Sequence, residues 1–247
     1  MKWPNFLAPV PLTNKIAFVS QLESYDDHNC WVEIGGTSYL AKVHNGVESK
    51  DLIDLMETKQ HEQSVIHLQN TMMDHLSKNG VSTSAPQAPK EDAVTPASIH
   101  ALPVVSEAHS PCQLVVRLLR WVPGRTMASV KMLPLESLAD AGKFLGRLSG
   151  TLNLLETENL TAARRYHQWD GKNTADLRSF VQHIKDERKR EMVNSVLDAF
   201  QTELIDSGVA DRFPKGLVHG DFNDANILVD NDLFVSGCID FGDSVER

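Results

Sequence analysis

Two polar runs joined by a short apolar hairpin constrain this chain more than anything else in it. The first, His219-Gly220-Asp221-Phe222-Asn223-Asp224-Ala225-Asn226, sets an Asp and an Asn five positions apart; the second is Asp240-Phe241-Gly242. Between them, Ile227-Leu228-Val229 and residues 234–239 are apolar and rich in β-branched side chains, with Asp230-Asn231-Asp232 separating the two stretches. That pattern predicts two antiparallel strands and a polar turn. The start of one strand then faces the end of the other about 5 Å away, so Asn226 and Asp240 are expected side by side.

An Asp followed by an Asn at this spacing, with an Asp-Phe-Gly downstream, is the layout of a phosphoryl-transfer loop. Hard divalent cations take oxygen ligands, and Mg²⁺ commonly uses one or two protein oxygens together with nucleotide phosphates. Asn226 and Asp240 are therefore the candidate Mg²⁺ ligands, and Asp221 the candidate acceptor of a proton from an attacking hydroxyl. A metallohydrolase would instead ligate metal through His219 and Asp221, but no companion histidine cluster stands at metal spacing. His219 is expected to brace the loop by hydrogen bonds to backbone.

The length of 247 residues suits one large domain or two lobes, and 41% hydrophobic residues suffice for a core. A net charge of −9 argues against nucleic acid or an anionic membrane as partner of the whole surface. No apolar run is long enough to span a bilayer. Residues 1–12 carry three prolines and no continuous apolar stretch, unlike a signal peptide. Cys30, Cys112 and Cys238 show neither metal spacing nor an even count, so buried thiols in a reducing, cytoplasmic setting are expected. The mixed run from Lys185 to Glu191 reads as a solvated helix face.

Toward the N-terminus, Ile16-Ala17-Phe18-Val19, Trp31-Val32-Glu33-Ile34 and Tyr39-Leu40-Ala41-Lys42-Val43 read as strands, the last two joined at Gly35-Gly36. Ser24-Tyr25-Asp26-Asp27-His28-Asn29 forms a polar loop that could offer backbone N–H groups to phosphate, although it lacks glycine. Lys42 stands among apolar neighbours, so its ammonium either snorkels to water or meets an anion. Residues 51–78 read as one helix, with Gly80 just beyond it. Residues 82–111 read as loop interrupted by one or two strands, one of them at 102–105. A buried strand over 114–119 ends in a turn at Val122-Pro123-Gly124-Arg125, where a hinge is expected.

Beyond it the chain reads as helical. Pro134 occupies a first-turn position, and Leu138, Leu145, Leu148, Leu152 and Leu155 are expected on one face. Gly142, Gly146 and Gly150 would admit another backbone. Amphipathic segments at 177–184 and 192–205 follow, with Gly208 as a stop. The expectation is an α+β, bilobal, protein-kinase-like fold. Residues 1–120 would form a strand-rich nucleotide lobe, and 121–247 a helical lobe carrying the catalytic loop.

Five stretches resemble the aminoglycoside phosphotransferase and choline kinase superfamily, and within it the hydroxylysine kinase group. They are the Ser24 to Asn29 loop, the strand around Lys42, Leu118-Leu119 through Arg125, His219 through Asn226, and Ile239-Asp240-Phe241-Gly242-Asp243. The resemblance implies transfer of the γ-phosphate of GTP, or ATP, to the hydroxyl of 5-hydroxylysine, a small hydroxylated amine. Asp221 would be the base, Asn226 and Asp240 metal ligands, Lys42 a phosphate contact, and Ser24, Tyr25 and Asp26 part of the nucleotide site. The family's acidic partner for that lysine falls on His67 here. Glu62, five residues earlier, lies about 140° round the helix. The resemblance also implies further helices after Arg247. The C-terminal lobe is thus expected to be incomplete, and the chain poorly soluble and weakly active alone. A different amino alcohol, sugar or aminoglycoside acceptor, or a non-catalytic pseudokinase fragment, are the alternatives.

Overall fold

A computed structural model describes residues 16–24, 27–58, 60–87, 99–106 and 109–247. Its first half is built on strands β1 (Ile16–Leu22), β2 (His28–Ile34) and β3 (Thr37–Val43), followed by helices α1 (Gly46–Glu57) and α2 (Val65–Lys78) and strands β4 (Ile99–Ser106) and β5 (His109–Arg120). All five strands form one antiparallel sheet in the order β1-β2-β3-β5-β4. Gly35 and Gly36 turn β2 into β3 with φ of 59° and 81°, the left-handed pair that a two-residue hairpin turn needs.

The single helix expected over 51–78 is two helices. Asn45 caps α1 by accepting from the N–H groups of Val47 and Glu48, and Ser64 caps α2 by accepting from His67 N–H. Each cap satisfies amide donors that the first turn leaves unpaired, so a new helix starts wherever one is available. Thr58 ends α1, and Gly80, at φ 76°, follows the end of α2. Strands β4 and β5 occupy much of the stretch read as loop, while residues 88–98 lie outside the described part.

The second half comprises β6 (Arg125–Thr126), α3 (Leu135–Leu152), α4 (Arg178–Val181), α5 (Glu187–Phe200), β7 (Leu217–Val218), β8 (Ile227–Val229), β9 (Val235–Cys238) and β10 (Val245–Glu246). The sheet order is β6-β8-β9 in one small sheet and β10-β7 in another. Pro134 is the residue before α3 rather than its first helical residue. The buried face of α3 is Ser137, Ala141, Phe144, Leu148 and Leu152, whereas Leu138 and Leu145 are exposed. A Cβ on Gly142, Gly146 or Gly150 would meet nothing within 4 Å, so no backbone approaches that stripe among the described residues.

The main core crosses the expected boundary. It joins Leu68, Met72, Met73 and Leu76 of α2 to Phe144, Leu148 and Leu152 of α3, and reaches Leu217, Cys238 and Phe241. Full burial of such side chains is worth about 1.5–3 kcal/mol each. The turn expected to hinge is packed: Gly124 has φ 137°, a Cβ there would collide with Ser236 and the Val229 carbonyl, and Ser236 Oγ donates to Pro123 O at 2.7 Å. Cys30 and Cys238 are free and buried. Among the described residues no helix is long and apolar enough to cross a membrane.

Candidate active site

A cleft of about 1310 Å³ opens beside the five-stranded sheet, walled by Ser24, Lys42, Arg117 and Trp121 on one side and by Asn226 and Asp240 on the other. Asn226 and Asp240 both line the cleft, but the hairpin register sets Ile239, not Asp240, opposite Asn226. Strands β8 and β9 pair Ile227 with Cys238, and Ile239 N–H donates to Asn226 O at 2.9 Å, which leaves Asp240 as the next residue out. The turn is longer than expected, running to Phe234, with Leu233 at φ 65°.

The loop before β8 is organised from within. His219 is buried; its Nε2 donates toward Ile239 O at 3.1 Å, close to Cys238 Sγ, while Nδ1 accepts from Asp221 N–H. Burial pushes the imidazole below its ordinary value, so the ring is neutral and serves as the brace expected of it. Gly220 has φ 86°, and a Cβ there would collide with the Asp243 carbonyl. Asp221 is held at both oxygens: Asn223 Nδ2 donates to Oδ1 at 2.7 Å and Asn226 Nδ2 to Oδ2 at 2.8 Å. With its NH₂ committed to Asp221, Asn226 has its carbonyl oxygen to offer the cleft. Asn223, which the sequence reading passed over, also accepts from the N–H groups of Ala225 and Asn226.

Asp240 adopts φ 62°, a conformation costing a non-glycine residue about 1–2 kcal/mol. Its side chain is half exposed and lies 3.3 Å from Lys42 Nζ. Burial opposes its ionisation, but Lys42 and the Gly242 N–H outweigh it and hold the carboxyl below its ordinary value. Just beyond, Arg165 donates to Gly242 O at 2.9 Å and to Ser244 O at 2.6 Å, pinning the segment in place.

Lys42 is buried and meets anions, as one of its two readings required. Its partners are Asp27 Oδ2 at 2.9 Å and Asp240 Oδ1 at 3.3 Å. These carboxylates come from neither of the two positions weighed for the family's acid, His67 and Glu62. His67 sits in the first turn of α2, bonded to Ser64 and Thr71, and Glu62 lies exposed in the 3₁₀ turn before it. What α2 sends inward are amides. Arg117 of β5, 1% exposed, donates to Gln69 Oε1 at 2.5 Å, to Asn70 Oδ1 at 2.7 Å and to His44 Nε2 at 2.7 Å; His44 Nδ1 in turn faces Glu48 at 2.6 Å. Burial lowers the guanidinium to about 10, still charged at neutral pH, and burial with Arg117 alongside keeps His44 neutral. Arg117 was legible by the signal that marked Lys42, a cation inside an apolar strand.

Ser24 lines the cleft and accepts from Asn29 Nδ2 at 3.3 Å, while Tyr25 and Asp26 lie outside the described residues. Asp221 is not on the cleft wall, standing beyond Asn226. For a divalent cation, the Asn226 carbonyl and the ionised, half-exposed Asp240 form an oxygen set that fits Mg²⁺. Asp27, His44 and Glu48 also lie close together, but Lys42 and Arg117 already answer them.

The sequence matches the APH family, a phosphotransferase enzyme family, over residues 19–245. It is 27% identical to hydroxylysine kinase of Xenopus laevis and 28% identical to that of Bos taurus, with 93% of this chain aligned to each. The chain spans 61% and 60% of those relatives' lengths. Among solved structures, the GDP complex of wild-type aminoglycoside 2'-phosphotransferase-IIIa is similar at a TM-score of 0.57 and 18% identity, covering 94% of this chain and 69% of that one. A ternary complex of aminoglycoside phosphotransferase APH(4)-Ia with AMP-PNP and hygromycin B gives 0.51 at 15% identity, with 94% and 68% covered. Likeness at such identity speaks for the fold alone, which is the α+β, kinase-like fold of those enzymes. Matched by its family across nearly its whole length, the chain belongs to the APH phosphotransferase enzyme family.

Proposed function

We propose that this chain carries the catalytic apparatus of a small-molecule kinase that moves the γ-phosphate of a nucleoside triphosphate, GTP foremost, to the hydroxyl of a small hydroxylated amine, 5-hydroxylysine foremost. The observation that carries the reading is convergence. Lys42, Asn226 and Asp240, from three separate stretches, line one cleft; Lys42 lies 3.3 Å from Asp240, and Asp221, just behind the wall, is held by Asn226 at 2.8 Å. The named relatives support the acceptor, since hydroxylysine is what their name says they phosphorylate.

In this reading Asp221 accepts the proton of the attacking hydroxyl. Its two amide donors hold the carboxylate still and leave lone pairs free on both oxygens. Asn226 and Asp240 would hold Mg²⁺, which when bound neutralises charge on the phosphates. Lys42 orients the phosphates from the sheet side, and Ser24, Tyr25 and Asp26 belong to the nucleotide site. Residues 1–120 serve as nucleotide lobe and 121–247 as catalytic lobe, and the setting is the cytoplasm. The pseudokinase alternative rests only in part on His67 standing where the family has an acid, and on that point Asp27 supplies Lys42 with a carboxylate from elsewhere.

The test is donor consumption with GTP and ATP against hydroxylysine, choline, ethanolamine and aminoglycosides, for this chain and for Asp221→Asn. Turnover with one acceptor, slowed roughly 10²-fold or more in the variant, is the expected outcome. Equal rates would remove Asp221 from its role.

A further inference from the structure

Two carboxylates hold Lys42, and they differ in how firmly they are built. Asp240 is half exposed and is shared with the cation site proposed above. Asp27 has 11% of its side chain open and is anchored behind: its Oδ1 accepts from Asn45 N–H at 2.9 Å and lies 3.4 Å from Asn45 Nδ2. Asn45 is in turn the residue whose side chain caps α1. The Asp27 carboxylate is thus fixed where the β1–β2 loop, the end of β3 and the start of α1 meet.

Helix α2, by contrast, has no acid to spare. Its single carboxylate, Asp74, pairs with Lys78 one turn on, and its inward amides, Gln69 and Asn70, are taken by Arg117. A buried ammonium requires an anion close by. We propose that Asp27 is the positioning residue for Lys42, so that the phosphate-facing lysine is aimed from the β1–β2 loop and the α1 cap, while α2 supports the sheet through Arg117 instead. The inference rests on reading the cleft as a nucleotide site.

The test uses the full chain with Asp27→Asn, Asp27→Glu, Lys42→Met, the Asp27→Asn/Lys42→Met double variant and Glu62→Gln. The first readout is urea unfolding without nucleotide. Direct pairing makes the cycle non-additive, with Asp27→Asn destabilising the native chain but adding little in the Lys42→Met background. The second is titration with N-methylanthraniloyl-GDP and its ADP counterpart in Mg²⁺. Here Asp27→Asn is expected to weaken binding about tenfold, the loss of one charge-assisted contact. Asp27→Glu should recover part of that loss and Glu62→Gln should change nothing. An additive cycle, unchanged nucleotide affinity in a folded Asp27→Asn chain, or a loss on Glu62→Gln instead would each overturn the proposal. Should the unsubstituted chain bind neither nucleotide, the kinase reading fails on its own, and the unfolding cycle still decides whether Asp27 holds Lys42.

Discussion

Arg117 is the residue whose replacement speaks most directly to how the sheet is held on its helices. One guanidinium satisfies three buried acceptors, two on α2 and one just after β3, so Arg117→Met leaves Gln69, Asn70 and His44 without their donor. A loss of about 3 kcal/mol in urea unfolding is expected, and Arg117→Lys should recover little, because a single ammonium cannot span the fork. A loss well under 1 kcal/mol for Arg117→Met would contradict the network. At this scale the catalytic loop was readable because its parts are close in sequence: the five-residue step from Asp221 to Asn226 and the hairpin to Asp240 need only local geometry. Asp27 with Lys42, and Arg117 with Gln69 and Asn70, were not readable as pairs. Those contacts depend on how α1 and α2 dock on the sheet, which no local pattern specifies.

Helix α3 shows what periodicity can and cannot say about an element. Leu138, Leu145, Leu148, Leu152 and Leu155 recur at helical spacing, yet the buried set turns on Phe144 and Ala141, with Leu138 and Leu145 outside. The stripe of leucines spans a wider arc than the face that packs, and only the position of α2 selects the part that is covered. Leu148→Ala should therefore cost about 3 kcal/mol, whereas Leu145→Ala, 38% exposed, should cost under about 1 kcal/mol. Equal losses in chemical denaturation would restore the face read from the leucines. Strands β2, β3 and β5 were readable from their β-branched runs, but the helix over 51–78 was not readable as two, since Ser64 looks like any polar helix residue until its hydroxyl is seen to cap.

Across the described residues of the molecule, three histidines are held below their ordinary value of 6.5, His44, His167 and His219, each chiefly by burial. The unfolded chain then binds protons that the folded one refuses, so this contribution is complete above pH 6.5 and is lost as pH falls below it. Asp170 and Asp240, held below the ordinary 3.8, lose theirs only at lower pH and do not interfere. Urea midpoints should accordingly drop between pH 7 and pH 5.5; a flat profile would show that the rings are accessible to protons in the native state.

The apolar body that runs from Leu76 through Leu148 to Phe241 belongs to neither lobe. Among the described residues the clusters apart from it, around Leu52 and around Met127, are small, so the two halves are expected to come apart as one cooperative unit rather than singly.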